Sequence, residues 1–235
     1  MKSLIEFSVS GLTLRGNLYI PDQPNSKPLA LLFLHGWTGK PNDAAAVFLA
    51  THGIASMTFS LSGHNDSDGD IAKQTRQKSL QEVLAAYDLL RQHTKAGIVA
   101  IGNSYGGYLA ALLSAERPLA AMSLRVPANY PDERSDEQQL NQRDTIMDWR
   151  ELALEFKATR SLKAIHDFTG AVQIIEAEFD EMVPHQTVQN YVSAVSNKAK
   201  LDFHLMKGWP HSIGNSQERA EQLQDILLHW LEQKV

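Results

Sequence analysis

"GIVAIGNSYGGYLAALLSAE", residues 97–116, joins an apolar run to a run with helical spacing and places Ser104 between glycines at the junction. The segment 97–102 reads as a strand, and 105–116 as a helix. A strand that passes directly into a helix is the building step of a parallel sheet. Two readings of Ser104 are open at this point. It is an ordinary helix N-cap, or it is a hydroxyl pushed out at the tip of a Gly-x-Ser-x-Gly turn formed by Gly102, Ser104 and Gly106. A nucleophile needs partners, and they have to come from elsewhere in the chain.

The same rhythm repeats outward from this stretch. Residues 3–9 and 12–20 read as a hairpin joined at Ser10-Gly11. Strands are then expected at 29–35, 54–61, 120–126, 171–177 and 199–206, with helices at 42–52, 75–93, 185–196 and about 216–232. Such alternation predicts an α/β fold, a mainly parallel sheet with helices on both faces, in a single domain over 1–235. Residues 127–168 break the rhythm, being polar and charged, and read as a small helical cap insertion. Within them "SDEQ" at 135–138 has the form of a capping box, and a second helix is expected near 148–158.

Composition narrows the class of partner. The chain has 235 residues, 43% of them hydrophobic, and a formal net charge of −5, so neither a nucleic acid nor an anionic membrane is expected as partner. It has no cysteine, which excludes disulfides, thiolate metal sites and a cysteine nucleophile and fits a reducing compartment. The opening residues carry no apolar h-region, so no signal peptide is expected and the expected location is cytoplasmic. The sequence sets no oligomeric state. "NDSDGD" at 65–70 fails as a calcium loop, since the first position is His64 and the twelfth Thr75 rather than Glu. There is no P-loop, dinucleotide fingerprint or His-Glu-x-x-His pair. No metal and no cofactor are expected.

A serine hydroxyl needs a base, and the base an orienting carboxylate. Of nine histidines, His211 follows the last strand at the carboxyl edge of the sheet, where ligands of parallel sheets sit. His35 and His64 could line the site, and the others fall in helices, connections or strand interiors. Asp180 follows the strand 171–177 and precedes His211, with Glu176 and Glu178 as close rivals. Ser104, Asp180 and His211 then occur in the chain order of an α/β-hydrolase. The backbone N–H of Tyr105, next to the serine, and that of Trp37, in the loop after 29–35, are the candidate donors to an oxyanion. Tyr130, Trp149 and Trp209 are candidate apolar walls of a substrate pocket.

Five ordered motifs, "HGWTG", "GHNDSDG", "GNSYGG", "FDEMVP" and "GWPHS", resemble the α/β-hydrolase superfamily over nearly the whole chain. The likeness is nearest to small serine esterases of the cinnamoyl/feruloyl-esterase and dienelactone-hydrolase-like groups. It implies Ser104 as nucleophile, His211 as base and Asp180 as its partner, with Trp37 and Tyr105 as oxyanion donors. The chain departs from many relatives at Gly63-His64-Asn65 and at Glu176-Ala177. The expected activity is cofactor-free hydrolysis of small to medium carboxylic esters. Alternatives are the same residues acting on a peptide, amide or carbon–carbon bond, and a non-catalytic binding protein on this scaffold.

Overall fold

The computed structural model describes residues 1–235, with the side chains of 141–145 left aside. Its strands are β1 (Lys2–Val9), β2 (Leu12–Tyr19), β3 (Leu29–Leu34), β4 (Ala55–Phe59), β5 (Gly97–Asn103), β6 (Ala121–Arg125), β7 (Ala171–Phe179) and β8 (Leu201–Pro210). Its α-helices are α1 (Asp43–Thr51), α2 (Arg76–His93), α3 (Tyr105–Glu116), α4 (Arg143–Arg150), α5 (Arg160–Asp167), α6 (His185–Ala194) and α7 (Gln217–Lys234). The strands form one sheet in the order β1-β2-β4-β3-β5-β6-β7-β8. β1 and β2 are an antiparallel hairpin, and β2 runs antiparallel to β4. From β4 to β8 every pairing is parallel.

Alternate residues of the buried strands feed two cores. On the major face Leu32, Ala100, Met122 and Ile174 pack under α2, α3, α5 and α6. On the minor face Leu31, Val99, Ala121 and Ala171 pack under α1 and α7. The helix α3 is buried from Tyr105 to Leu113, which explains why its sequence has no polar stripe. Neighbouring strands β3 and β5 lead to helices on opposite faces, α1 in the minor core and α3 in the major. A crevice opens at such a reversal, beyond the carboxyl ends of the two strands. Ser104 and the loop 35–42 both lie there.

The expected strands and helices are present, with differences at 127–168 and at the last strand. Ser135 does not start a helix. Its carbonyl accepts from Gln77 N at 3.0 Å, Gln138 bridges to Thr75, and Gln139 N donates to Gln74 O at 2.9 Å. The segment thus straps the start of α2, and Glu137 pairs with Arg134 at 2.6 Å. The helix expected at 148–158 is displaced to Arg143–Arg150. It stops where the buried Arg150 sends Nη1 to the carbonyl of Met182, at 2.9 Å. A further helix, α5, begins at Thr159, whose hydroxyl accepts from Leu162 N at 3.2 Å. It packs on α3 and α6. Its two turns are too short to show a clear period in the sequence. β8 runs on to Pro210, past a bulge in its pairing with β7 between Ala177 and Phe179, so His211 directly follows a strand end.

Candidate active site

Ser104 stands at the N-cap position of α3, yet its side chain makes no capping hydrogen bond. Asn42, Thr75, Thr159 and Ser216 hold the same position in other helices, and each accepts from a backbone N–H of the first turn. Capping is therefore not what the Ser104 hydroxyl does. Its backbone has φ 54° and ψ −112°, a conformation that L-residues avoid and that costs of order 1–3 kcal/mol. Surrounding structure holds it there. Ser104 N donates to Arg125 O at 2.9 Å, and Ser104 O accepts from Gly107 N at 2.9 Å and Ala128 N at 3.1 Å. The flanking glycines are required by space. A Cβ at Gly106 would lie 2.0 Å from Leu34 O, and one at Gly102 would lie 2.4 Å from Gly106 O.

On the neighbouring edge His211 Nδ1 lies 2.7 and 2.8 Å from the two carboxylate oxygens of Asp180. That carboxylate is almost fully buried, with 4% exposure, and it also accepts from Met182 N at 2.8 Å and Val183 N at 2.7 Å. Three donors satisfy its charge and fix the imidazole with Nδ1–H toward Asp180, and Nε2 makes no hydrogen bond among the described residues. Among the described residues Ser104 Oγ has no hydrogen-bond partner, and no hydrogen bond joins it to the His211 imidazole. Such contacts often tighten only around substrate. The N–H groups of Trp37 and Tyr105 donate to no protein atom among the described residues. The Trp37 ring meets the Tyr105 ring edge-on at 5.3 Å, which holds the loop 35–42 against the elbow.

The rivals of these residues have other work. Glu176 is buried and pairs with His185 Nδ1, and its other oxygen accepts from Gln189 Nε2 at 3.2 Å, so it ties β7 to α6. Glu178 accepts from Gly208 N at 2.7 Å. His35 accepts from Leu61 N at Nε2, 3.0 Å, and donates from Nδ1 to Gly36 O, 2.8 Å. Burial pushes its pKa down to about 4, so it is a neutral structural imidazole.

The model of the alpha/beta hydrolase family matches residues 31–220. The chain belongs to the alpha/beta hydrolase family. That membership supports a hydrolase activity. No curated protein matches the chain in sequence. Among solved structures, this hydrolase is similar to Est1E from Butyrivibrio proteoclasticus with ferulic acid bound, at 20% identity and a TM-score of 0.74, covering 97% of this chain and 100% of that one. It is similar to the esterase Pf2001 from Pyrococcus furiosus at 18% identity and a TM-score of 0.72, covering 100% of this chain and 93% of that one. It is also similar to the hydrolase GrgF from Penicillium at 18% identity and a TM-score of 0.69, covering 100% and 99%. At these identities the likeness is one of fold. No helix among the described residues is long and apolar enough to cross a membrane.

The three candidate wall residues of this hydrolase do not form one group. Tyr130 is buried with its ring 5.7 Å from that of Tyr105 and 4.9 Å from that of Tyr108. It lies between the guanidinium groups of Arg76 and Arg150, at 5.3 and 4.8 Å. Trp149 is half-buried against the major core. Trp209 stands in a separate cluster with Val126 and Ala177, under Arg219.

One residue of the site escaped the sequence reading. Arg125 ends β6 and donates from Nη1 to Asn103 Oδ1 and from Nη2 to His211 O, both at 2.6 Å. It thereby ties the residue before the candidate nucleophile to the backbone of the candidate base. The available signal was a lone charged residue, Arg125, near the end of the mainly apolar run "AAMSLRV".

Proposed function

We propose that the protein is a serine hydrolase that cleaves small to medium carboxylic esters through an acyl-enzyme on Ser104. The observation that carries this reading is the uncapped, strained Ser104 at the elbow, joined through Arg125, which binds Asn103 and the His211 carbonyl, to the segment where Asp180 holds the His211 imidazole. Ser104 Oγ attacks the ester carbonyl and gives its proton to His211 Nε2. The imidazolium is stabilised by Asp180 through Nδ1–H and then protonates the leaving alcohol. Water, deprotonated by the same nitrogen, releases the acid and restores the serine. The tetrahedral oxyanion takes hydrogen bonds from Trp37 N–H and Tyr105 N–H, where each donor contributes about 3–4 kcal/mol in well-studied cases.

Tyr130, Trp149 and Trp209 are proposed as apolar walls, and Tyr130 is the one in ring contact with Tyr105. The bound ferulic acid in the similar Est1E structure favours aromatic or short acyl groups as the first esters to try.

A panel of p-nitrophenyl and alkyl esters, run beside arylamides, tests the reading. The expected result is ester turnover that Ser104→Ala lowers by at least about 10⁴-fold with little change in melting temperature. A fluorophosphonate should label the folded wild type at Ser104 and leave the variant unlabelled. Rapid arylamide cleavage beside slow ester turnover would assign another bond, and an unlabelled Ser104 in folded protein would favour a binding role.

A further inference from the structure

A cavity of about 270 Å³ lies on the minor face of the sheet, behind the elbow rather than in front of it. Its volume is near the lower end for small-molecule pockets. Its floor is sheet side chains of one parity, Phe33, Ile101 and Ile175, and its roof is Ile213 with Leu223 and Leu227 of α7. Neither Ser104, His211, Trp37 nor Tyr130 lines it, so it is not the space in which the candidate nucleophile works. Small residues make the room. The minor face has Ala121, Ser123 and Ala45 where the major face has Leu124, Met122 and Leu109.

Its charge is one-sided. Arg125 and Lys40 line the cavity, and among the described residues no acidic side chain does. Arg125 forms no ion pair among the described residues. Two of its five N–H donors serve Asn103 and His211, which leaves the rest of the guanidinium fork available. Burial lowers its pKa to about 10, against a through-space pull from Asp180 in the other direction. Arg125 is half-buried, and a largely desolvated guanidinium without a carboxylate partner gains from an anion brought into contact with it.

We propose that this cavity is a binding site for a small amphipathic carboxylate, separate from the Ser104 site. The carboxylate meets Arg125, with Lys40 nearby, and the apolar body lies between the sheet and the first half of α7. An alkyl or aryl acid fits this division, because the lining beyond the two cations is mainly apolar. The site is joined to the candidate base on two sides. Arg125 holds the His211 carbonyl, and Ile213 lies two residues beyond His211 on the segment that leads into α7. The proposal goes beyond the hydrolase reading and stands without it.

Octanoate is the probe, followed by the methyl resonances of isoleucine in the full-length protein. Ile101, Ile175 and Ile213 report on the cavity, and Ile146 reports on the 127–168 segment on the other side. Octanoate is expected to shift the three cavity methyls and to bind at least about tenfold tighter than octan-1-ol, which lacks the charge, and than acetate, which lacks the apolar body. Ser104→Ala should keep these shifts, which separates the result from product binding at the serine. Leu223→Trp, which fills the cavity from a half-buried helix position, should abolish them, and Ala220→Phe provides a second blocking variant if the first fails to fold. Shifts confined to Ile146, no saturable shift at all, equal affinity for octanoate and octan-1-ol or acetate, or unchanged binding in the blocked variants would each overturn the proposal.

Discussion

The two faces of the sheet solve the same packing problem with different side chains. On the major face, α3 is buried along most of its length and carries Tyr105, Tyr108, Leu109 and Leu113 at 0% exposure. On the minor face, α1 offers Ala45, Ala46 and Leu49, and the first half of α7 stands over a cavity. The elbow lies between them. The strained φ of Ser104 persists because the helix behind it cannot shift, its glycines being locked against Leu34 O and Pro127. The face with the cavity carries Arg125 and Ile213, on the segment from His211 into α7. One side fixes the candidate nucleophile, and the other leaves space beside the candidate base.

This contrast makes stability predictions of different size on the two faces. Leu109→Ala removes a fully buried side chain from the tight face and should cost about 4 kcal/mol in urea unfolding. A cost below about 1 kcal/mol would mean that α3 is not the rigid backing described above.

The seam between the faces should respond to acid. His35 directly follows β3 and is held neutral in the fold, with its pKa lowered from 6.5 to about 4. Between those values the unfolded chain binds a proton that the folded protein refuses. The contribution is therefore complete above pH 6.5 and is lost as pH falls towards 4. The loss amounts to about 3 kcal/mol. Unfolding free energy followed from pH 7 to pH 4 should fall by about that much more in the wild type than in His35→Gln. Equal slopes would show that another group carries the acid sensitivity.

Much of this arrangement is legible in the sequence, and the remainder is hidden for identifiable reasons. The helix 105–116 coincides with α3, because a glycine-flanked serine after an apolar strand leaves few alternatives. Asp180 and His211 could be singled out because strand ends in a parallel sheet converge on one edge, and the structure places the two within hydrogen-bond distance. The strap at 135–138 was illegible, since its pairing with Thr75 and Gln74 is a contact across some sixty residues that local capping chemistry cannot anticipate. The separation of Trp209 from Tyr130 and Trp149 was equally hidden. Trp209 lies on β8 and Trp149 on α4, elements far apart in the chain whose packing partners local sequence does not reveal. Arg125 shows the limit most clearly. A lone arginine in an apolar strand is visible, but its two acceptors, Asn103 and the carbonyl of His211, come from 22 and 86 residues away.

Arg125 also offers a way to sharpen the contrast. If the minor face were only ballast, Arg125→Gln would alter stability and leave turnover per folded molecule intact. With Arg125 acting as a positioning residue for Asn103 and His211, kcat for a p-nitrophenyl ester should fall about 100-fold while KM changes little. Arg125→Lys keeps the charge but loses the fork, and it should recover only part of the loss. A variant that folds with full kcat would separate the guanidinium from the chemistry.

The smallest effect is expected on α7 itself. Leu223→Ala truncates a leucine as Leu109→Ala does, yet Leu223 is only half-buried and already borders the 270 Å³ cavity. No new void opens in a packed surround, so the cavity contribution that dominates at Leu109 is nearly absent and the cost should stay below about 1 kcal/mol. The same chemical change then reports two environments in one molecule. If urea unfolding instead gave Leu223→Ala a cost close to that of Leu109→Ala, α7 would have to sit down on the sheet in solution. The guanidinium of Arg125 would then face packed leucine rather than open space, and the minor face would have to be counted as a second tight core.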